Sequence, residues 1–268
     1  MKRLLPKGPR VGHTGTLDPL ASGLLVLLVG RATRLSRYVT GLDKEYTATA
    51  RFGATSDTLD ADGEITALKQ ASIPDATALR AATERFIGEI IQTPPMASAV
   101  KVGGERLYKA LRRGETVERE SRSAKVHAFK LLSLDGDDAT FAVSCSSGTY
   151  VRTLVADLAN SLGTGAYLTA LRRTRVGHLT LDEAVKLEVL EEPIAGTLLK
   201  RIIPPKEVVA HLPRVGVSEE ERSLVCNGGR LGAFGVGGSF RAEAGEELLA
   251  IYRDEGEVSR VEVVLCGA

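Results

Sequence analysis

The residues best placed to do chemistry in this 268-residue chain lie near its N-terminus, in Gly12–Gly23, which reads GHTGTLDPLASG. A Walker-type phosphate cradle needs a lysine followed by Ser or Thr after its last glycine, and neither is present. A dinucleotide loop follows a strand and opens a helix, with glycines at two short, fixed intervals. This stretch has other spacing and precedes an apolar run. It can instead be a platform for one carboxylate, that of Asp18. Pro19 fixes its own φ and biases Asp18 toward extended backbone. The glycines admit tight turns and close approach of another molecule. His13 and the threonine hydroxyls can donate hydrogen bonds to an anion. On these residues alone, a turn in which the Asp18 carboxylate bonds a nearby backbone amide is the better explanation of the stretch.

The elements that must position such a loop are visible as periodicity. GLLVLLVG, residues 23–30, is far too short to cross a bilayer and reads as a buried strand. DKEYTATARFG alternates, with Tyr46, Ala48, Ala50 and Phe52 on one face, as a half-buried strand does. IPDATALRAATERFIGEI puts Leu79, Ala82, Phe86 and Ile90 at helical spacing, with Asp75 or Thr77 near the start. GERLYKALRRG reads as a short basic helix stopped at Gly114. AKVHAFKLLSL and ATFAVSCSSG read as two strands joined by the turn-rich DGDD. TYVRTLVADLANSLG predicts a helix with Val151, Leu154, Val155, Leu158 and Leu162 inward and Gly163 at its end. AYLTALRRTRVGHLTL predicts another strand.

Antiparallel hairpins with single helices between them indicate an α+β fold rather than a doubly wound parallel sheet. The proline-rich residues 193–215 break the pattern. Short apolar runs separated by NGGRL, VGGSF and EGEV then predict a small β-barrel of about fifty to sixty residues.

Composition is that of a soluble globular protein, 43% hydrophobic and 26% charged. The three cysteines, Cys145, Cys226 and Cys266, form no even disulfide set and lack metal-ligand spacing, which points to a reduced, cytoplasmic setting. The net charge of +1 conceals an asymmetry. From Gly216 onward five Arg face ten Asp and Glu, a charge of −5, leaving +6 for the rest. Residues 1–40 carry seven basic residues against one acidic, and residues 101–130 nine against four. Local basic zones on a near-neutral protein suit a polyanionic partner, though on charge alone they read first as ordinary solvated faces.

Four stretches, VGHTGTLDPLASGLLVLLVGRATR, DKEYTATARFGATSDTLDADG, QTPPMASAVKVGGERLYKALRRG and CSSGTYVRTLVADLANSLGTGAYLTALRRTRVG, together resemble the TruB family of bacterial tRNA pseudouridine-55 synthases. The resemblance covers essentially the whole catalytic portion, in order. It implies the pseudouridine synthase fold: a mixed, largely antiparallel sheet with flanking helices and a central cleft. It further implies a catalytic domain over 1–205 and a PUA-like RNA-binding barrel over 212–268. The implied reaction isomerises one uridine in the T-arm of tRNA, breaking its N-glycosidic bond and rejoining the base through carbon. Being redox-neutral, it calls for no cofactor or metal, and the implied enzyme is a monomer without membrane association.

By the same resemblance Asp18 is the catalytic aspartate and Arg152 its partner, expected to lower the carboxyl pKa. Tyr46 stacks on the flipped-out uracil and helps remove the C5 proton. Tyr150 and Leu171 line the base pocket, and His13 meets the substrate RNA. Lys101, Arg106, Arg172 and Arg173 become candidates for phosphate contacts. Two departures stand out. The family usually begins with a strand, a helix and a Lys-Pro element upstream of the catalytic loop, where this chain starts MKRLLPKGPRVGHTG. Ala97 stands where the family usually has a tyrosine. The first departure raises a second expectation, a protein that binds or folds the T-arm with impaired or no catalysis.

Overall fold

The structure, a computed structural model, describes residues 9–69, 71–98, 100–111, 113–191 and 202–266. The described residues begin with three short strands, β1 (Val11–His13), β2 (Ala21–Gly23) and β3 (Leu27–Val29). A 3-10 turn over Gly30–Leu35 and helix α1 (Ser36–Thr40) lead to the long strand β4 (Lys44–Phe52). Next come the hairpin β5 (Ala54–Ser56) and β6 (Ile65–Ala67), helix α2 (Ala76–Glu84) and strand β7 (Gly88–Gln92). A tiny hairpin, β8 (Lys101–Val102) and β9 (Glu105–Arg106), runs into α3 (Leu107–Leu111). Strands β10 (Arg122–Asp135) and β11 (Asp138–Cys145) precede α4 (Val151–Ser161), β12 (Ala166–Val176) and β13 (Leu179–Thr180).

Two compact units result. The first is Thr16–Leu25 with Gly41–Asp182. Its sheet has the order β13-β12-β4-β11-β10-β7, antiparallel throughout, and β2 joins β12 in parallel. Alternation on β4 turns Ala48, Ala50 and Phe52 inward, as expected, and Leu79 and Ala82 of α2 and Leu154, Val155 and Leu158 of α4 pack with them. Asp75 caps α2 by accepting from the Ala78 amide at 2.8 Å. This is the α+β arrangement that hairpins alternating with single helices predict.

The second unit takes in the described residues before Thr16, Val26–Thr40 and the chain from Glu183 onward. Here α5 (Leu187–Glu191), α6 (Pro205–Val208) and β14 (Arg214–Gly216) precede α7 (Glu219–Cys226), β15 (Leu231–Gly232), β16 (Ser239–Ala244), β17 (Glu247–Glu255) and β18 (Val258–Val264). The strands form a five-stranded sheet in the order β14-β16-β17-β18-β15, the half-barrel counterpart of the expected small barrel. Leu35 is fully buried among Val209, Leu248, Ile251 and Leu265. Arg31 and Arg34 donate to the carbonyls of Leu265 and Val264, and the Tyr38 hydroxyl donates to Glu262.

Four local expectations need correction. The helical stripe through Phe86 and Ile90 is cut short: α2 ends at Glu84, and Ile90 lies in β7, paired with Ala124 of β10. GLLVLLVG is not one strand: Gly23 turns at φ +97° after pairing with β12, Leu25 is exposed, and β3 pairs with β1. Its two halves have different partners, so no continuous ladder forms. Among the described residues GERLYKALRRG is helical over Leu107–Leu111, because Gly103 and Gly104, both at positive φ, make a two-residue hairpin that puts Glu105 and Arg106 in a strand. Cys226 and Cys266 are joined by a disulfide, with Cα atoms 5.3 Å apart, and Cys145 is left buried and free. An odd cysteine count leaves room for one bridge. Part of the proline-rich break, residues 192–201, lies outside the described residues. Among the described residues no helix is long and apolar enough to cross a membrane.

Candidate active site

Arg152 stands in the first turn of α4 and is only 2% exposed. A buried guanidinium carries five N–H donors, and each must find an acceptor or cost free energy. All five do. Nε and Nη2 donate side by side to the two oxygens of Asp18, each at 2.9 Å. Nη1 donates to Asp60 at 3.0 Å and to the Thr58 carbonyl at 2.9 Å, and Nη2 also donates to the Ala97 carbonyl at 2.8 Å. The paired bonds to Asp18 fix the carboxylate in plane as well as in distance.

Asp60 is as buried as the arginine and is held in turn by the Thr58 hydroxyl and the Asp62 amide. Leu59, just before it, is the one non-glycine residue at positive φ (63°) among the described residues. That local strain turns the chain so that Asp60 reaches Arg152. Asp60 was not foreseen as a site residue. The signal was there: one carboxylate accepts only part of what a buried arginine must donate.

The Asp18 loop resolves the turn question. The Ala21 amide donates to the Asp18 carbonyl at 2.9 Å, closing a turn over Pro19 and Leu20 with proline at the position its φ favours. The backbone makes the turn, and the side chain is left to Arg152. Asp18 is 30% exposed, so the pair has one wet side. Burial pushes the Asp18 pKa up. The charge and hydrogen bonds of Arg152 pull it down and neighbouring Asp60 pushes it up again, leaving it above the ordinary aspartate value. Arg152 lowers the carboxyl pKa as expected, but desolvation outweighs the ion pair and the net shift is upward.

Tyr46 lies on β4 between Val143 of β11 and Arg173 of β12, packed against the core, and burial raises its phenol pKa. Tyr150 stands at the N-cap position of α4, with no capping bond from its side chain. Gln92 brackets its backbone with bonds at 3.0 and 3.2 Å, and the Arg122 guanidinium lies over its ring and bonds its hydroxyl. Leu171 is 5% exposed and pairs with Ala21 of β2 and Ala48 of β4, so it borders the Asp18 loop. His13 is exposed on β1, opposite Leu27. Ala97 brings its carbonyl rather than a side chain to the site.

Of the phosphate candidates, Lys101, Arg106 and Arg172 are exposed on β8, β9 and β12. Arg173 is not. It is 3% exposed, and its Nε donates to the Leu24 carbonyl at 2.7 Å, so it is an interior residue rather than a surface cation.

The profile of the TruB family pseudouridylate synthase N-terminal domain matches residues 2–151, and that of the tRNA pseudouridylate synthase B C-terminal domain matches residues 152–210. The chain is 42% identical to tRNA pseudouridine synthase B of Burkholderia mallei (strain NCTC 10247) over 277 aligned positions, spanning 100% of this chain and 91% of the relative. It is also similar to the archaeal box H/ACA sRNP Nop10-Cbf5 complex, with a TM-score of 0.72 and 27% identity over 98% of this chain and 79% of that one. A likeness of fold extends to an H/ACA RNP bound to a substrate RNA containing 2'-deoxyuridine, with a TM-score of 0.74 and 23% identity over 99% of this chain and 79% of that one.

Proposed function

The chain belongs to the TruB family of pseudouridine synthases, isomerases acting on tRNA, and from that premise we propose that it converts uridine 55 in the T-arm with Asp18 as the acting carboxylate. The observation that carries the reading is the two-point bond between Asp18 and a buried Arg152 whose five donors are all used. Such a clamp holds an anion in one orientation and leaves its wet side open to a substrate.

In the reaction the N1–C1′ bond of the flipped uridine breaks, the base turns, a C5–C1′ bond forms, the C5 proton leaves and N1 takes up a proton, so the product is an isomer. Asp18 serves as an ionised group, either attacking the ribose or base or taking a ribose proton. Tyr46 stacks on the extruded uracil, with Tyr150 and Leu171 lining the pocket and Tyr46 assisting loss of the C5 proton. His13 meets the RNA near the catalytic loop, and Lys101, Arg106 and Arg172 contact phosphates. We assign the chemistry to residues 1–205 and an auxiliary PUA-like RNA contact to 212–268. The tRNA substrate, rather than the cysteine count, supports a cytoplasmic location.

The test is a T-arm stem-loop with tritium at uridine C5, from which isomerisation releases tritium to water. The wild-type chain is expected to release it. Asp18→Asn is expected to bind the stem-loop and fold as wild type while releasing none. Wild-type binding without release would replace the isomerase reading with that of a T-arm binding protein. Release by the Asn variant would remove Asp18 from its role.

A further inference from the structure

Arg173 does something a surface cation cannot. Its backbone and side chain grip one residue of the catalytic loop from both sides: the Leu24 amide donates to the Arg173 carbonyl at 2.8 Å, and the Arg173 Nε donates to the Leu24 carbonyl at 2.7 Å. The approach is so close that a Cβ on Gly23 would fall 2.2 Å from the Arg173 carbonyl oxygen. Glycine alone fits there, at φ +97°. On its other flank Arg173 is the register partner of Tyr46, close enough for its guanidinium to pull the phenol pKa down against the rise that burial causes.

We infer that Arg173 is a positioning residue for the isomerisation, a buried cation that ties the loop carrying Asp18 to the strand carrying Tyr46. The inference rests on the proposed roles of Asp18 and Tyr46. Its consequence is geometric first: the base that stacks on Tyr46 and the carboxylate that acts on it are set relative to one another by one side chain. Misplacement by about 1 Å in such an arrangement costs about 100-fold in rate. The second consequence is electrostatic. Asp18 faces Arg152 on α4, Asp60 on the β5–β6 connection and Arg173 on β12, so Arg173 supplies a second positive charge toward it. Tyr46 faces Cys145 on β11, Arg173 on β12 and Asp18. Lys44, two residues before Tyr46 on the same strand, is also buried, and desolvation with the nearby Arg173 lowers its pKa to about 8.

Arg173→Gln and Arg173→Lys, made in the full chain, test the inference. In Arg173→Gln, single-turnover tritium release is expected to fall about 10- to 100-fold while affinity for the T-arm stem-loop changes less than about twofold. The acid limb of its rate profile is expected to move to higher pH, because Asp18 loses a stabilising cation. Arg173→Lys keeps the charge and should keep the limb near wild type while losing part of the rate. A fall in affinity that accounts for the whole loss, with the limb unmoved, would overturn the inference in favour of a phosphate contact. If the Gln variant does not fold, a Lys variant with wild-type rate would overturn it. The phenol pKa of Tyr46, read by NMR of ring-labelled tyrosine without substrate, should rise in Arg173→Gln. That readout separates failure here from failure of the isomerase reading, and an unmoved phenol would overturn the inference even where no turnover exists to measure.

Discussion

Asp18 stands under two opposed influences, and their balance has a measurable consequence. Withdrawal from water raises its pKa more than Arg152 lowers it. For a reaction that needs the ionised carboxylate, the rate falls as Asp18 is protonated, so the acid limb is expected above the pH an ordinary aspartate would set. Single-turnover tritium release from about pH 4 to about pH 8 checks this. A limb at the ordinary aspartate value, in an enzyme that keeps its fold at that pH, would mean the ion pair wins. The same shift bears on stability with the opposite sign: the contribution of Asp18 is fully present below its unfolded pKa and is lost as pH rises through the folded one. Ionised at neutral pH, it is held at a cost, as charge buried for function often is. Asp18 and Arg152 were recognisable in the sequence because a family pattern marks them. Asp60 was not, since its role depends on the positive φ of Leu59, which places an ordinary loop aspartate beside α4.

At the scale of elements, what could be read was periodic and what could not was pairing. The alternation of β4 and the apolar stripe of α4 are encoded by spacing alone, and both form as expected. Helix α7 was missed although its start is written plainly: Ser218 accepts from the Glu221 amide while the Glu221 side chain bonds the Ser218 amide. Its short, mostly polar turns gave little stripe to notice. The end of α7 brings Cys226 to Cys266 across 40 residues of chain, a proximity that no spacing rule predicts. Closing a loop of that length limits the unfolded chain and contributes about 2–4 kcal/mol. Reduction with a phosphine under native conditions is therefore expected to lower the melting temperature, and Cys226→Ser should match the reduced wild type. An unchanged melting curve after complete reduction would show that the bridge adds no stability.

The whole molecule divides differently in space than along the chain. Residues 16–25 belong to one compact unit, while the residues that flank them on both sides belong to the other. A reading that moves linearly along the sequence sees one loop where the chain changes unit twice. The charge asymmetry, by contrast, survives folding and gains a structural meaning. Five of the ten acidic residues beyond Gly216 are paired: Glu243 with Arg214 and Arg241, Glu246 with Lys206, Glu247 with Arg222, Glu255 with Arg260, and Glu262 with Arg37 and Arg253. The exposed pairs among them add little stability, yet the pairs offset part of the negative charge that would meet an RNA. On the other unit Lys101, Arg106 and Arg172 remain exposed. Affinity for the T-arm stem-loop is accordingly expected to fall as salt rises, with each neutralised phosphate adding about 0.7–0.9 to the slope of log K against log salt. Replacing Lys101, Arg106 or Arg172 singly by Ala should each lower that slope by up to about 1, whereas Arg173→Gln, an interior change, should leave it at the wild-type value. Equilibrium binding across a salt series for the four variants decides the matter. A slope lost with Arg173 and retained without the other three would move the RNA-facing surface from the exposed cations to the interior of the sheet, which a guanidinium 3% exposed can reach only if the Asp18 loop opens.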